Sequence, residues 1–180
     1  MAIAQGRYFD SQETVDPDQR EKYQRQKLIE TIEHAYLHSS AARNLLDFVG
    51  LKPSPDLTVE DLDKLPITRK TDLIEMQKVK PPFGGLLAIP EDEIERIFVS
   101  PGPIYEYQPS GIQWFARSFH AAGFGRGDVV VNTFTYHMSP AGMLFHEGLR
   151  QVGATVVVMG TGNTDILIRA MLDLKVTGFL

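Results

Sequence analysis

There is no cysteine anywhere in the 180-residue chain. Disulfides, zinc–thiolate centres and thiol nucleophiles are therefore excluded within it. Basic residues are also in short supply: 18 Lys and Arg stand against 23 Asp and Glu, a net charge of −5. A general nucleic-acid binder needs clustered cations to release counterions, so no nucleic-acid partner is expected. Long apolar runs are missing as well. None approaches the roughly 20 residues needed to cross a bilayer, and the opening Met-Ala-Ile-Ala-Gln-Gly-Arg has no signal-peptide core. No membrane partner is expected, and a cytoplasmic location is the default. What is present is ordinary for a globular protein, 43% hydrophobic and 23% charged. That is enough for one domain with a core or for one piece of a larger enzyme.

Apolar spacing divides the chain into a helical region, residues 1–80, and an α/β region, residues 81–180. Residues 1–18 read as a polar, extended arm. Tyr23, Leu28, Ile29, Ile32, Ala35 and Tyr36 share one helical face between Gln19 and about His38. Ser39 or Ser40 caps a second helix ending at Gly50. Thr58 with Asp61 opens a further turn, and Thr68 caps a helix through Met76. In the second region strands are expected at 93–99, 129–134, 154–159 and from Val176. Helices are expected from Ser110 to Ala122 with Ile112 inward, from Ser139-Pro140 to about Gln151, and from Thr164 to about Leu174. The order βαβαβαβ predicts an α/β fold, a parallel, doubly wound-type sheet with helices on its faces. The chain stops at Leu180 in mid-strand, which predicts a longer natural polypeptide or descent from a longer one. An open sheet edge and apolar faces would need cover, so a homo-oligomer is one expectation.

In such a sheet ligands bind outside the carboxyl ends of the strands. Three loops qualify. The first is Ser100 to Tyr107. It has Ser100 and Gly102 but no lysine and no second glycine, and it carries Glu106. The second holds Tyr136, His137 and Met138, an aromatic, an imidazole and a thioether that could line an apolar pocket for an aryl acid. The simpler reading makes Tyr136 and Met138 core and His137 a boundary residue. The third is Gly160-Thr161-Gly162-Asn163-Thr164, where glycines permit close backbone approach beside a helix start; alone, it is also just a turn. His34 and His38 sit at i, i+4, but a metal site needs a third ligand that nothing nearby supplies, so no metal site is expected. The acidic cluster Glu91, Asp92, Glu93 and Glu95 reads as a solvated turn. His146-Glu147 lacks the second histidine of a zinc-protease helix.

A set of segments, in order, resembles the N-terminal part of the phenylacetate–CoA ligase family, within the adenylate-forming (AMP-binding) superfamily. They are Ala35-Tyr36, Leu65-Pro66-Ile67-Thr68-Arg69-Lys70-Thr71-Asp72-Leu73, Pro82-Phe83-Gly84, Leu86 to Pro90, Arg96-Ile97, Ala116-Arg117-Ser118, Ala121-Ala122-Gly123, Gly127-Asp128 and Gly160 to Thr164. The resemblance implies an enzyme that activates an aryl or related carboxylic acid with ATP and Mg²⁺ to an acyl-adenylate, then transfers the acyl group to CoA. It places Ser100, Gly102 and Glu106 at the phosphate loop, Tyr136, His137 and Met138 at the acyl pocket, and Gly160, Gly162, Asn163 and Thr164 at the nucleotide and acyl site. The family's phosphate loop reads S-S-G-T-T-G-K-P. Here only Ser100 and Gly102 match, Pro101 and Pro103 remove two N–H donors, and Glu106 stands near the lysine position. The family's adenine-binding loop, ribose-binding aspartate, hinge and C-terminal lysine lie beyond Leu180, so this chain alone is not expected to complete the active site. Two readings follow. One is a segment of an AMP-forming acid–CoA ligase; the other is a non-catalytic, ligase-derived binding module.

Overall fold

The computed structural model describes residues 6–111 and 115–180. It divides into two compact units, Val15–Ser110 and Met1–Thr14 with Gly111–Leu180. Composition divides the chain at residue 80; in the structure, residues 81–110 belong to the same compact unit as the helices.

In the first unit, helix α1 (Pro17–His38) starts where Asp16 accepts a bond from the Asp18 N–H. Helix α2 (Ser40–Phe48) is capped by the buried Ser39, whose hydroxyl accepts from Ala42 N at 3.2 Å. Ile32 from α1 packs with Leu46, Leu51 and Leu57 as the local core, the helical face anticipated from spacing. A 3-10 turn, Val59–Lys64, begins where the Thr58 N–H meets the Asp61 carboxylate at 2.9 Å. Helix α3 (Lys70–Val79) is capped at Arg69, whose N–H meets Asp72 at 2.8 Å, so Thr68 is not the cap.

The first strand, β1 (Ile94–Ser100), does not join a parallel sheet. It pairs antiparallel with β2 (Ile104–Pro109), so the expected open loop 100–107 is a hairpin around Pro101-Gly102-Pro103. The two strands share a largely buried face. Phe98, Ser100, Ile104 and Gln108 are buried on it, with Glu106 exposed among them, while Ile97 and Tyr105 are exposed on the other. Helix α3 guards the free edge of β2. The Gln77 amide donates to Tyr105 O at 2.8 Å and accepts from Tyr105 N at 2.9 Å, imitating a neighbouring strand.

In the second unit, helix α4 (Ala116–Ala121) begins at Phe115, so Ser110 is not its cap; the Ile112 expectation falls outside the described residues. The polar arm is partly tied down: Arg117 donates to Asp10 at 2.9 and 2.7 Å and to Gln12 at 2.8 Å. A parallel sheet follows, in the order β4 (Thr155–Val158), β3 (Val129–Asn132), β5 (Gly178–Phe179). Helix α5 (Ala141–Gln151) joins β3 to β4, and α6 (Thr164–Asp173) joins β4 to β5. The two crossovers run in opposite directions across the sheet. Right-handed connections therefore put α5 and α6 on opposite faces, the doubly wound arrangement. Phe119, Val130, Leu149 and Ala154 form the core on the α5 side, with Phe115 and Phe145 stacked edge-to-face at 4.8 Å. Gly148 makes room for this cluster, since a Cβ there would come within 2.7 Å of Phe115 Cβ.

Candidate active site

In an open α/β sheet ligands bind outside the carboxyl ends of the strands. Here the carboxyl ends of β3 and β4 carry the second and third loops named above. Asn132, the last residue of β3, is fully buried and organises both. Its carbonyl oxygen accepts from Met159 N at 3.2 Å and Gly160 N at 3.1 Å, at the exit of β4. Its side-chain Nδ2 donates to the Tyr136 hydroxyl at 2.8 Å and to Gly142 O at 2.9 Å. Its Oδ1 accepts from Phe134 N at 3.0 Å. One buried amide thus sets the path of the 133–140 loop and its distance from α5.

Tyr136 is half-buried beside this amide, and its hydroxyl lies 3.3 Å from His146 Nδ1. Burial raises the phenol above its ordinary value of 10.0, and the Asn132 hydrogen bond offsets part of that. At neutral pH the group is a protonated donor rather than a base. His137 and Met138 are exposed, and Met138 adopts a left-handed backbone with φ +64°. The residue that joins Tyr136 in the polar cluster is His146 from α5, not His137. Sequence reasoning missed Asn132, which reads as one more residue of an apolar strand. It also missed the role of His146. Its spacing of four from Gly142, on one helical face, is the signal that could have revealed it.

The loop after β4 turns through three left-handed residues, Gly160 at φ +70°, Gly162 at +86° and Asn163 at +59°. A Cβ on either glycine would meet nothing within 4 Å, so conformation and not crowding calls for glycine here. The loop is open to close approach by a ligand. Asn163, not Thr164, occupies the cap position; Thr164 is the first residue of α6.

Ser100, Gly102 and Glu106 lie on the hairpin of the first unit. The Ser100 hydroxyl, nearly buried, donates to the Glu106 carboxylate. A Cβ at Gly102 would sit 2.9 Å from Ile104 Cγ1, so the turn is closely packed. A triphosphate does not fit this hairpin. The hydroxyl is already committed, the two prolines offer no N–H, no lysine is present, and the nearest ionisable group is an anion. Among the described residues, no group of three or more His, Cys, Asp or Glu could hold a metal ion, and no helix is long and apolar enough to cross a membrane.

No protein-family model matches the chain. Curated proteins do. A phenylacetate-coenzyme A ligase of Thermus thermophilus is 30% identical over 172 residues, covering 91% of this chain and 38% of that protein. The phenylacetate-coenzyme A ligase of Escherichia coli K12 is 32% identical over 166 residues, covering 87% and 37%. The chain is a sequence relative of the phenylacetate–CoA ligases. It spans about two fifths of their length. A solved 2-hydroxyisobutyryl-CoA ligase in the postadenylation state, in complex with 2-HIB-AMP, shares the fold with a TM-score of 0.90 at 23% identity, over 99% of this chain and 40% of that one. The same ligase in an open conformation with 2-HIB-AMP and CoA aligns with a TM-score of 0.89. The α/β fold of this phenylacetate–CoA ligase relative is thus that of the adenylate-forming CoA ligases.

Proposed function

We propose that the chain carries part of an acid–CoA ligase, a site for a carboxylic acid and its acyl-adenylate at the carboxyl ends of β3 and β4. The supporting observation is Asn132. One buried residue ties together two loops at the strand ends, its side chain holding the 133–140 loop and its backbone carbonyl the exit of β4, in a fold shared with ligases solved with an acyl-AMP. In this reading the apolar body of the acid lies against Tyr136 and Met138, with His137 at the mouth. Gly160, Gly162, Asn163 and Thr164 face the adenylate, since their backbone permits close approach. Tyr136, a phenol that stays protonated at neutral pH, donates a hydrogen bond and does not abstract a proton. In this reading ATP with Mg²⁺ would supply the adenylyl group and CoA the acceptor thiol, with the triphosphate held outside the Ser100–Glu106 hairpin. An aryl acid is the finer proposal, in keeping with the curated relatives' substrate name.

The Ser100–Glu106 pair favours a second reading, a ligase-derived module that binds the acid or adenylate without forming it. ATP–pyrophosphate exchange with a panel of aryl and small hydroxy acids separates the two. Acid-dependent exchange selects the ligase reading. Adenylate binding with no exchange for any acid selects the module. Absence of both refutes the site itself.

A further inference from the structure

The junction of α2, α3 and the 80–85 turn, in the helical unit, uses none of the residues assigned above. Lys80 Nζ donates to Ser40 Oγ at 2.7 Å. Gly85 O accepts from Ser39 Oγ at 2.9 Å, from Ala41 N at 3.0 Å and from Ser40 Oγ at 3.4 Å, which holds the turn against the start of α2. Both glycines of the turn have positive φ. A Cβ on Gly85 would sit 2.7 Å from Ser40 Oγ and 3.2 Å from Lys80 Cδ, and one on Gly84 would sit 2.9 Å from Met76 Cβ. Glycine at both positions therefore lets the turn pack tightly against α2 and α3, with open space beside the Lys80–Ser40 pair.

That space is a cavity of about 550 Å³, within the range of small-molecule sites. Ala41, Met76 and Val79 make an apolar wall, while Ser40, Asn44 and Lys80 supply the polar side. Glu75, on the lining, is engaged by Lys78 at 2.7 Å and leaves Lys80 as the cavity's cation. An ammonium has three donors, and Ser40 takes one. One positive charge, a hydroxyl and an amide facing an apolar wall match a ligand with one negative charge and an apolar body. A cation would be repelled by Lys80, and a multiply charged phosphate would find too little compensation.

We infer that this cavity is a second binding site, for a small organic monocarboxylate held by Lys80 and Ser40. The site stands whether or not the chain forms an adenylate. The test is residue-resolved NMR of the full 180-residue chain, titrated with sodium phenylacetate and, separately, with inorganic phosphate. Saturable shifts are expected at the amides of Ser40, Ala41, Gly84 and Gly85, with no saturation by phosphate. Lys80→Met is expected to weaken phenylacetate binding about tenfold and Lys80→Arg by no more than about threefold, because arginine keeps the charge-assisted bond. Shifts confined to residues 133–138 and 160–164 would overturn the second site while supporting the first. Equal affinity in Lys80→Met, or phosphate binding as tight as phenylacetate, would also overturn it. The wild-type shift map decides the question even if the methionine variant does not fold.

Discussion

Single residues decide what this chain can grip. Ser100 has the hydroxyl that a phosphate would want, but Glu106 already holds it. Replacing Glu106 by lysine should therefore do more than remove a charge; it should return Ser100 to solvent and place a cation beside it. Calorimetric titration with pyrophosphate should find no measurable binding to the wild-type hairpin and a gain of about tenfold or more in Glu106→Lys. An unchanged titration would remove Glu106 as the blocking group. Asn132 is the opposite case, a buried polar group whose bonds are all made. Asn132→Ala strands the Phe134 N–H and leaves a cavity, at a cost of about 2–4 kcal/mol, readable as a lower urea midpoint. Tyr136 adds a pH signature. Its folded-state pKa is raised above 10.0, so the unfolded chain loses its proton first as pH rises. The contribution is fully present below pH 10 and is lost as pH climbs through the folded value. Stability should fall in that alkaline window, and Tyr136→Phe should flatten the fall in thermal melts taken from pH 9 to 11.

At the scale of elements, periodicity carried much of the fold. The α1 face around Ile32, the strands at Val129 and Thr155 and the helices after them lie within a few residues of where apolar spacing puts them. The hairpin was not legible, because Ser100 to Tyr107 reads as a strand-to-helix loop. Within β2, Ile104 and Gln108 are buried but Glu106 between them on the same face is exposed, so no clean alternation marks the strand. Caps were the other blind spot. Arg69 and Asn163 start helices through backbone geometry and a neighbour's carboxylate, not through the hydroxyl that Thr68 or Thr164 offers. Of the candidate site, both loops were legible as glycine- and aromatic-bearing strand exits. Asn132 and His146 were not, since their roles depend on which strands are neighbours. Gln77 is a tertiary feature of the same kind. Gln77→Ala should free the edge of β2 at Tyr105 and cost about 1–2 kcal/mol, measurable as faster amide exchange at Tyr105.

The whole chain shares the fold of a solved CoA ligase over two fifths of that ligase's length. Helix α6 has no buried residue, and Val158, Ile166, Ile168, Leu172 and Phe179 are all more than half exposed. Alone in solution, such a face should favour association between copies. Sedimentation should show concentration-dependent dimers or larger species, reduced in the Ile168→Glu, Leu172→Glu double variant. The proposed acyl-adenylate site rests on the two loops that Asn132 joins at the ends of β3 and β4. The most direct test is residue-resolved NMR titration with a non-hydrolysable acyl-sulfamoyl adenosine, an acyl-adenylate mimic. Saturable shifts at Phe134–Met138 and at Gly160–Thr164, weakened in Asn132→Ala, are the predicted result. A titration that leaves both loops unmoved in the folded wild-type chain would contradict it.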